Sequence, residues 1–206
     1  MRITERGWYS VAFMFIITLA VSTVLIIFGS ATRQRVEDNQ RVAFRRAVLE
    51  ALPIELPTSL SPAQIHTIFT DSVHIDSLLP DVYEFRRNGS VIAYALPFEG
   101  PGFWAPIKGI VGIAVDKKTF SGLAIYEQNE TPGLGGEIVK SYFRDQFRGK
   151  RIGEGESPIG IRPGTDVLDE YSVHAITGAT QTSEKFEMLL NARLREWRDT
   201  HTGVTP

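Results

Sequence analysis

The sequence predicts a single apolar N-terminal helix followed by one α+β domain with mixed or antiparallel strands. Three observations carry this expectation. Residues 9–29 (YSVAFMFIITLAVSTVLIIFG) are uncharged over a length that reaches about 30 Å as a helix, close to the hydrocarbon thickness of a bilayer. Residues 83–126 hold short β-branched and aromatic runs separated by Asn88-Gly89 and by Asp116-Lys117-Lys118, a hairpin pattern. Residues 184–197 return to helical spacing, with Phe186, Leu189, Leu190, Leu194 and Trp197 recurring at the interval that lines one face.

Composition excludes several functions. The chain has 206 residues, enough for one domain plus an anchor, and its net charge of −2 gives no reason to expect nucleic acid. It contains no cysteine, so disulfides, thiolate metal sites and cysteine-ligated iron–sulfur clusters are ruled out. The histidines, His66, His74, His174 and His201, are scattered with no i, i+4 pair, which leaves no metal motif.

The segments follow in order: an N-terminal segment 1–8, a transmembrane helix 9–29, a juxtamembrane helix and connector 30–62, and a domain 63–206. Trp8 and Tyr9 stand where an interfacial aromatic belt would stand. A cleaved signal peptide is the alternative, but the apolar run is too long for one and Ser30-Ala31-Thr32 is a poor cleavage site. Arg2 and Arg6 precede the span, and Arg33, Arg35, Arg41, Arg45 and Arg46 follow it. Charge alone would therefore leave the domain in the cytoplasm. Residues 34–52 read as a helix with Val42, Ala43, Ala47, Val48 and Leu52 on or near one face. Pro53, Pro57 and Pro62 then break the chain, and Ser61 or Thr58 opens a short helix from Pro62 to Phe69.

In the domain, Asn88-Gly89 predicts a hairpin over 83–96, followed by strands at 107–115 and 120–126 and a helix at 137–147. Two stretches could carry chemistry. Glu130-Thr131-Pro132-Gly133-Leu134-Gly135-Gly136 places Pro-Gly at the centre of a type II turn, with further glycines that let a backbone approach a flat ligand closely. Composition alone favours a plain strand-to-helix loop. Thr177-Gly178-Ala179-Thr180-Gln181-Thr182-Ser183 lies at a helix N-terminus, where free N–H groups and the helix dipole favour a phosphate. Alone it also reads as an N-cap in which Thr182 or Ser183 accepts a bond from the first turn.

These residues resemble a known family. Residues 177–183 are similar to the [Ser/Thr]-Gly-Ala-Thr-x-[Thr/Ser] motif of the FMN-binding domain family, and Glu-Thr-Pro-Gly-Leu-Gly at 130–135 is similar to its other hallmark. Gly100-Pro101-Gly102-Phe103-Trp104 resembles a Gly-x-Gly-aromatic-Trp segment at the same relative place. The family includes the C subunit of the sodium-pumping NADH:quinone oxidoreductase and the G subunit of the Rnf complex. Phe103-Trp104 leans toward the first and Ile110-Val111-Gly112-Ile113 toward the second.

The resemblance implies an α+β FMN-binding domain with FMN held covalently through a phosphoester on Thr180. Thr177, Gly178, Ala179, Thr182 and Ser183 would form the surrounding turn. Thr131, Gly133, Leu134 and Gly135 would lie beside the isoalloxazine ring, Glu130 and Thr131 would supply polar atoms, and Trp104 would pack on the flavin. A helix starting near Ser183 would help hold the phosphate. The resemblance further implies an electron-carrier subunit of a membrane ion-translocating oxidoreductase, partnered by other membrane and redox subunits and matured by a flavin transferase. Its FMN domain would lie on the periplasmic or outer side of the cytoplasmic (inner) membrane, opposite to the charge count. His174 departs from the family's usual Asp. A stand-alone anchored flavoprotein serving another reductase, or a flavin-free assembly module of the same fold, are the alternatives. No Rossmann motif offers a site for NADH, so no stand-alone turnover is expected.

Overall fold

The computed structural model describes residues 7–57, 59–76, 79 and 81–202. Arg2, Arg6 and Thr58 therefore lie outside the described residues. The chain divides into two units, one ending at Arg41 and the other beginning at Val42.

Helix α1 (Gly7–Ala51) crosses that boundary. The sequence suggested separate helices at 9–29 and 34–52. The structure makes one, because no proline interrupts residues 30–33 and Gly29 alone does not stop a helix. In the first unit α1 is long and apolar enough to cross a membrane, and none of its apolar window is buried. Thr23, Ser30 and Thr32 donate their hydroxyls back to the carbonyls of Leu19, Ile27 and Phe28 at 2.7, 2.9 and 2.9 Å, which satisfies those donors without water. Arg33 pairs with Glu37, and Arg41 with Glu37 and Asp38, on an exposed face where such pairs contribute little.

The second unit is built on a five-stranded antiparallel meander: β1 (Val73–Ile75), β2 (Tyr83–Arg87), β3 (Ser90–Pro101), β4 (Pro106–Ala114) and β5 (Phe120–Glu127). Asn88 and Gly89 turn β2 into β3 with φ of 52° and 78°, the paired positive values that a tight hairpin demands and that Asn-Gly accepts. Helix α2 (Pro62–Ser72) precedes β1. Ser61 caps it in a capping box, accepting from the Gln64 amide at 3.3 Å while its own N–H donates to Gln64 Oε1 at 2.9 Å.

Strand β3 sorts residues by size between two cores. Tyr94, Leu96 and Phe98 join the core containing Phe186, Leu190, Leu194 and Trp197 of helix α4 (Thr180–Thr202). Ala93 and Ala95 join the core containing Ala47, Val48, Leu49, Ala51 and Leu52 at the end of α1. Small side chains on that second face let the α1 backbone approach. Gly112 and Gly122 are cross-strand partners, and a Cβ on Gly112 would collide with the Ala51 carbonyl oxygen. Ser121 Oγ donates to that oxygen at 2.9 Å, so the sheet satisfies a carbonyl that the helix end leaves open. Pro97 sits in β3 beyond the reach of β2, whose pairing stops at Ala95, so its missing N–H breaks no ladder. Arg193 of α4 donates to the Pro97 carbonyl at 2.9 Å and ties helix to strand.

Residues 137–147 do not form the single helix expected from the sequence. The chain forms 3₁₀ turns at Gly135–Val139 and Asp145–Phe147 around one α-turn, α3 (Ser141–Arg144), and Lys140 between the first two is extended. Ile138, Phe143 and Phe147 all reach the α4-side core. On one straight helix Ile138 and Phe143 would point about 140° apart at ~100° per residue, so the break at Lys140 brings both inward. Three short strands escaped the sequence reading: β1, and the parallel pair β6 (Gly160–Arg162) and β7 (Ser172–His174).

The β4–β5 turn supports a prediction about acid stability. Asp116 Oδ1 accepts from the amides of Lys118 and Thr119 at 2.9 and 3.0 Å, and Oδ2 accepts from the Thr119 hydroxyl at 2.6 Å. Partial burial pushes the Asp116 carboxyl up, but these hydrogen bonds outweigh it and hold the carboxyl below the ordinary carboxylate range. A depressed folded value means the stabilisation is present above the unfolded value and lost as pH falls through the folded one. Asp116→Asn should therefore flatten the acid limb of a melting-temperature profile, and an unchanged limb would assign the acid sensitivity elsewhere.

Candidate functional site

Three stretches distant in sequence meet around a cleft of about 310 Å³. The first is the tip of the β3–β4 hairpin. Pro101 and Pro106 pair at the strand ends and Gly102 N–H donates to the Ala105 carbonyl at 2.9 Å, so residues 102–105 form a tight loop. That loop lifts Phe103 and Trp104 out of the sheet, their rings 4.9 Å apart and inclined at 67°. Trp104 is 68% exposed, a large apolar ring left uncovered beside the cleft.

The second stretch follows β5. Leu134 N–H donates to the Thr131 carbonyl at 3.1 Å, with Pro132 and Gly133 between them and Gly133 at φ +75°. This is the Pro-Gly turn expected from the sequence, and it presents Leu134, 42% exposed, to the cleft.

The third stretch opens α4. The helix starts at Thr180, earlier than the expected start near Ser183, and neither Thr182 nor Ser183 is its N-cap. Both lie inside the first turn and both are buried. Thr182 Oγ1 donates to Glu130 Oε2 at 2.8 Å, and Ser183 Oγ accepts from the Ile176 amide at 3.3 Å. Thr177 and Thr180 remain exposed. Gly178 turns the chain into the helix at φ +78°, where Leu134 Cδ2 would lie 3.2 Å from any Cβ, so both backbone and space call for glycine. The helix geometry leaves the first-turn amides without intrahelical acceptors, next to the exposed Thr180 hydroxyl.

Residues 102–195 match the family model of the FMN-binding domain. The matched segment is similar to the FMN-binding domain family. It holds the hairpin tip, the Pro-Gly turn and the start of α4 together. Among relatives, the C subunit of the Na⁺-translocating NADH-quinone reductase of Pasteurella multocida (strain Pm70) is 33% identical over 114 residues, covering 54% of this chain and 44% of the relative. Its counterpart in Vibrio vulnificus (strain YJ016) is 38% identical over 105 residues, covering 50% and 41%. The chain thus spans under half the length of these two relatives. Among solved structures, the C subunit of the Na⁺-translocating NADH-quinone reductase from Parabacteroides distasonis superposes with a TM-score of 0.68 at 24% identity, covering 82% of this chain and 96% of that one. NqrC from Shewanella oneidensis gives 0.63 at 21% identity, covering 76% and 92%. These two likenesses show the shared fold: an antiparallel-sheet α+β domain.

The cleft residues suit an FMN-binding domain. Trp104 and Leu134 offer uncovered apolar surface for a flat ring, and the glycines at 135 and 178 keep the floor low. Of the residues expected at the site, Trp104, Thr131, Leu134, Gly135, Gly178, Ala179, Thr180 and Thr182 line the cleft. Thr177 is exposed next to Gly178, and Gly133 shapes the turn. Ser183 and Glu130 do not line the cleft and are buried. Phe103 and Gln181 line it and were not foreseen as site residues. Their adjacency to Trp104 and Thr180 was the available signal. His174 ends β7 away from the cleft lining, its backbone N–H donating to Gln146 Oε1 at 2.9 Å.

Proposed function

We propose that this chain is a membrane-anchored electron-carrier subunit of a Na⁺-translocating NADH-quinone reductase, with FMN joined to Thr180 by a phosphoester bond. The observation that supports the reading best is the sorting of hydroxyls at the start of α4. Thr182 and Ser183 are buried and hydrogen-bonded inward, whereas Thr180 is exposed on the cleft wall beside Trp104 and Leu134. A flavin transferase would bring an activated FMN donor. The Thr180 hydroxyl would lose its proton and displace the donor's leaving group at phosphorus. The remaining phosphate charge would lie at the N-terminus of α4, where the dipole contributes about 0.3–1 kcal/mol, so the covalent bond dominates retention.

FMN supplies one-electron transfer chemistry when bound; the chain's own residues bind it, orient it and limit its contact with water. The relatives named above are subunits, and this chain carries no NADH motif, so its partners are other membrane and redox subunits of the complex. Helix α1 is the anchor in the cytoplasmic membrane, and the FMN domain lies on its periplasmic or outer side, as the family resemblance implies. A single apolar helix without charge in its span offers no ion path, so ion translocation belongs to other subunits.

The test is flavin reduction in two preparations. NADH should bleach the flavin of the assembled complex containing this chain, and should leave the flavin of the isolated, labelled chain unbleached. Rapid bleaching of the isolated chain by NADH would contradict the relay role. In the same preparations, Trp104→Ala should shift the flavin's midpoint potential and raise its emission while leaving attachment intact; loss of attachment would reassign Trp104 to maturation.

A further inference from the structure

Glu130 is the buried acid nearest the cleft, yet it does not line it. Its side chain is spent elsewhere. Oε1 accepts from the Trp104 backbone N–H at 2.9 Å, and Oε2 accepts from the Thr182 hydroxyl at 2.8 Å. The residue is 4% exposed, and no lysine or arginine pairs with it among the described residues. A carboxyl group hidden from water and met only by neutral donors is costly unless its geometry is fixed. The neighbouring glycines fix it. A Cβ at Gly102 would sit 2.5 Å from Glu130 Oε1, and one at Gly135 would sit 2.9 Å from Oε2 and collide with Thr182 Oγ1. Glu130 N–H is itself held by Gln128 Oε1 at 2.7 Å, which fixes the backbone from which the side chain springs. The side chain therefore bridges the hairpin tip and the first turn of α4, two walls of one cleft.

We infer that Glu130 is a positioning residue: it clamps the Trp104 loop to the first turn of α4 from beneath and touches no flavin. The inference rests on the flavin reading for its purpose, but the clamp itself stands on the two hydrogen bonds. It has a distinctive chemical consequence. Glutamine can replace the carboxylate here, with Oε1 accepting from Trp104 N–H and Nε2 donating to Thr182 Oγ1, because a hydroxyl accepts as well as donates. Alanine cannot.

The experiment uses the full chain in detergent micelles, coexpressed with a flavin transferase. Hydrogen exchange of the peptide containing Trp104 is compared among wild type, Glu130→Ala and Glu130→Gln, together with the yield of covalent flavin and its emission. Glu130→Ala should speed exchange at Trp104 about tenfold or more, lower the flavin yield and raise the emission of what is attached. Glu130→Gln should restore all three toward wild type. Unchanged exchange in Glu130→Ala overturns the clamp. A glutamine variant that behaves like alanine overturns positioning through hydrogen bonds, as does faster exchange with unaltered flavin yield and emission. Should Glu130→Ala fail to fold, Thr182→Val carries the test, since it frees one arm and must quicken Trp104 exchange; unchanged exchange there is equally fatal. If the wild type takes up no flavin, the flavin reading fails, and the exchange comparison still decides whether Glu130 holds the loop.

Discussion

Thr180→Val should carry no covalent flavin. After coexpression with a flavin transferase, the wild-type band should fluoresce in a denaturing gel and the variant band should be dark. Valine keeps the shape and β-branching of threonine and removes only the nucleophilic oxygen. Thr180 is exposed at the first position of α4, so the fold should change by no more than about 0.5 kcal/mol. Thr177→Val is the matched control. It removes the other exposed hydroxyl of the motif, outside the helix, and should keep its label. A bright Thr180→Val band would remove Thr180 as the attachment point, and a dark Thr177→Val band would make the site depend on both hydroxyls.

Phe186→Ala should be the most damaging single core substitution near the site. Its ring is fully buried and lies 5.8 Å from Phe98 of β3, 5.8 Å from Phe143 of α3 and 6.3 Å from Phe147. It thus joins the sheet, the turns after the Pro-Gly loop and the helix that carries Thr180. Removing a buried phenylalanine costs roughly 3–5 kcal/mol, a large part of the 5–15 kcal/mol that holds an ordinary domain. For a domain of this size that is a fall of roughly 6–20 °C in melting temperature, read by near-UV circular dichroism. Phe186→Leu should lose distinctly less. A fall of under about 2 °C in the alanine variant would show that the aromatic cluster does not organise the core.

The local signals in this sequence were legible where one residue type meets one backbone demand. Asn88-Gly89 announced a hairpin because both positions need positive φ, and both have it. Pro132-Gly133 announced its turn for the same kind of reason, and the uncharged run over 9–29 announced an apolar helix but not its continuation to Ala51. Where several residues share a demand, the sequence misled. The hydroxyls at 180–183 are weak helix formers that favour caps, so the run read as preceding the helix; the structure places it in the first turn, where burial against Glu130 and Ile176 outweighs propensity. The broken helix at 135–147 follows from three core residues whose spacing no single helix can serve. Glu130 was visible as a motif residue, but its task was not. Its partners lie 26 and 52 residues away, and only the fold reveals that both of its oxygens are taken. The strands β6 and β7 were too short to leave a periodic trace, and they form only through each other.

Peptide mass mapping decides whether this chain holds FMN on Thr180. The full chain, matured with a flavin transferase, is denatured and digested, and the peptide containing Thr180 is fragmented. The expected result is a mass increase equal to FMN less one water, on that peptide alone, with fragment ions placing it on Thr180. An unmodified Thr180 peptide, from a preparation in which the transferase labels a control substrate, would contradict it. So would the same increment located on Thr177, Thr182 or Ser183.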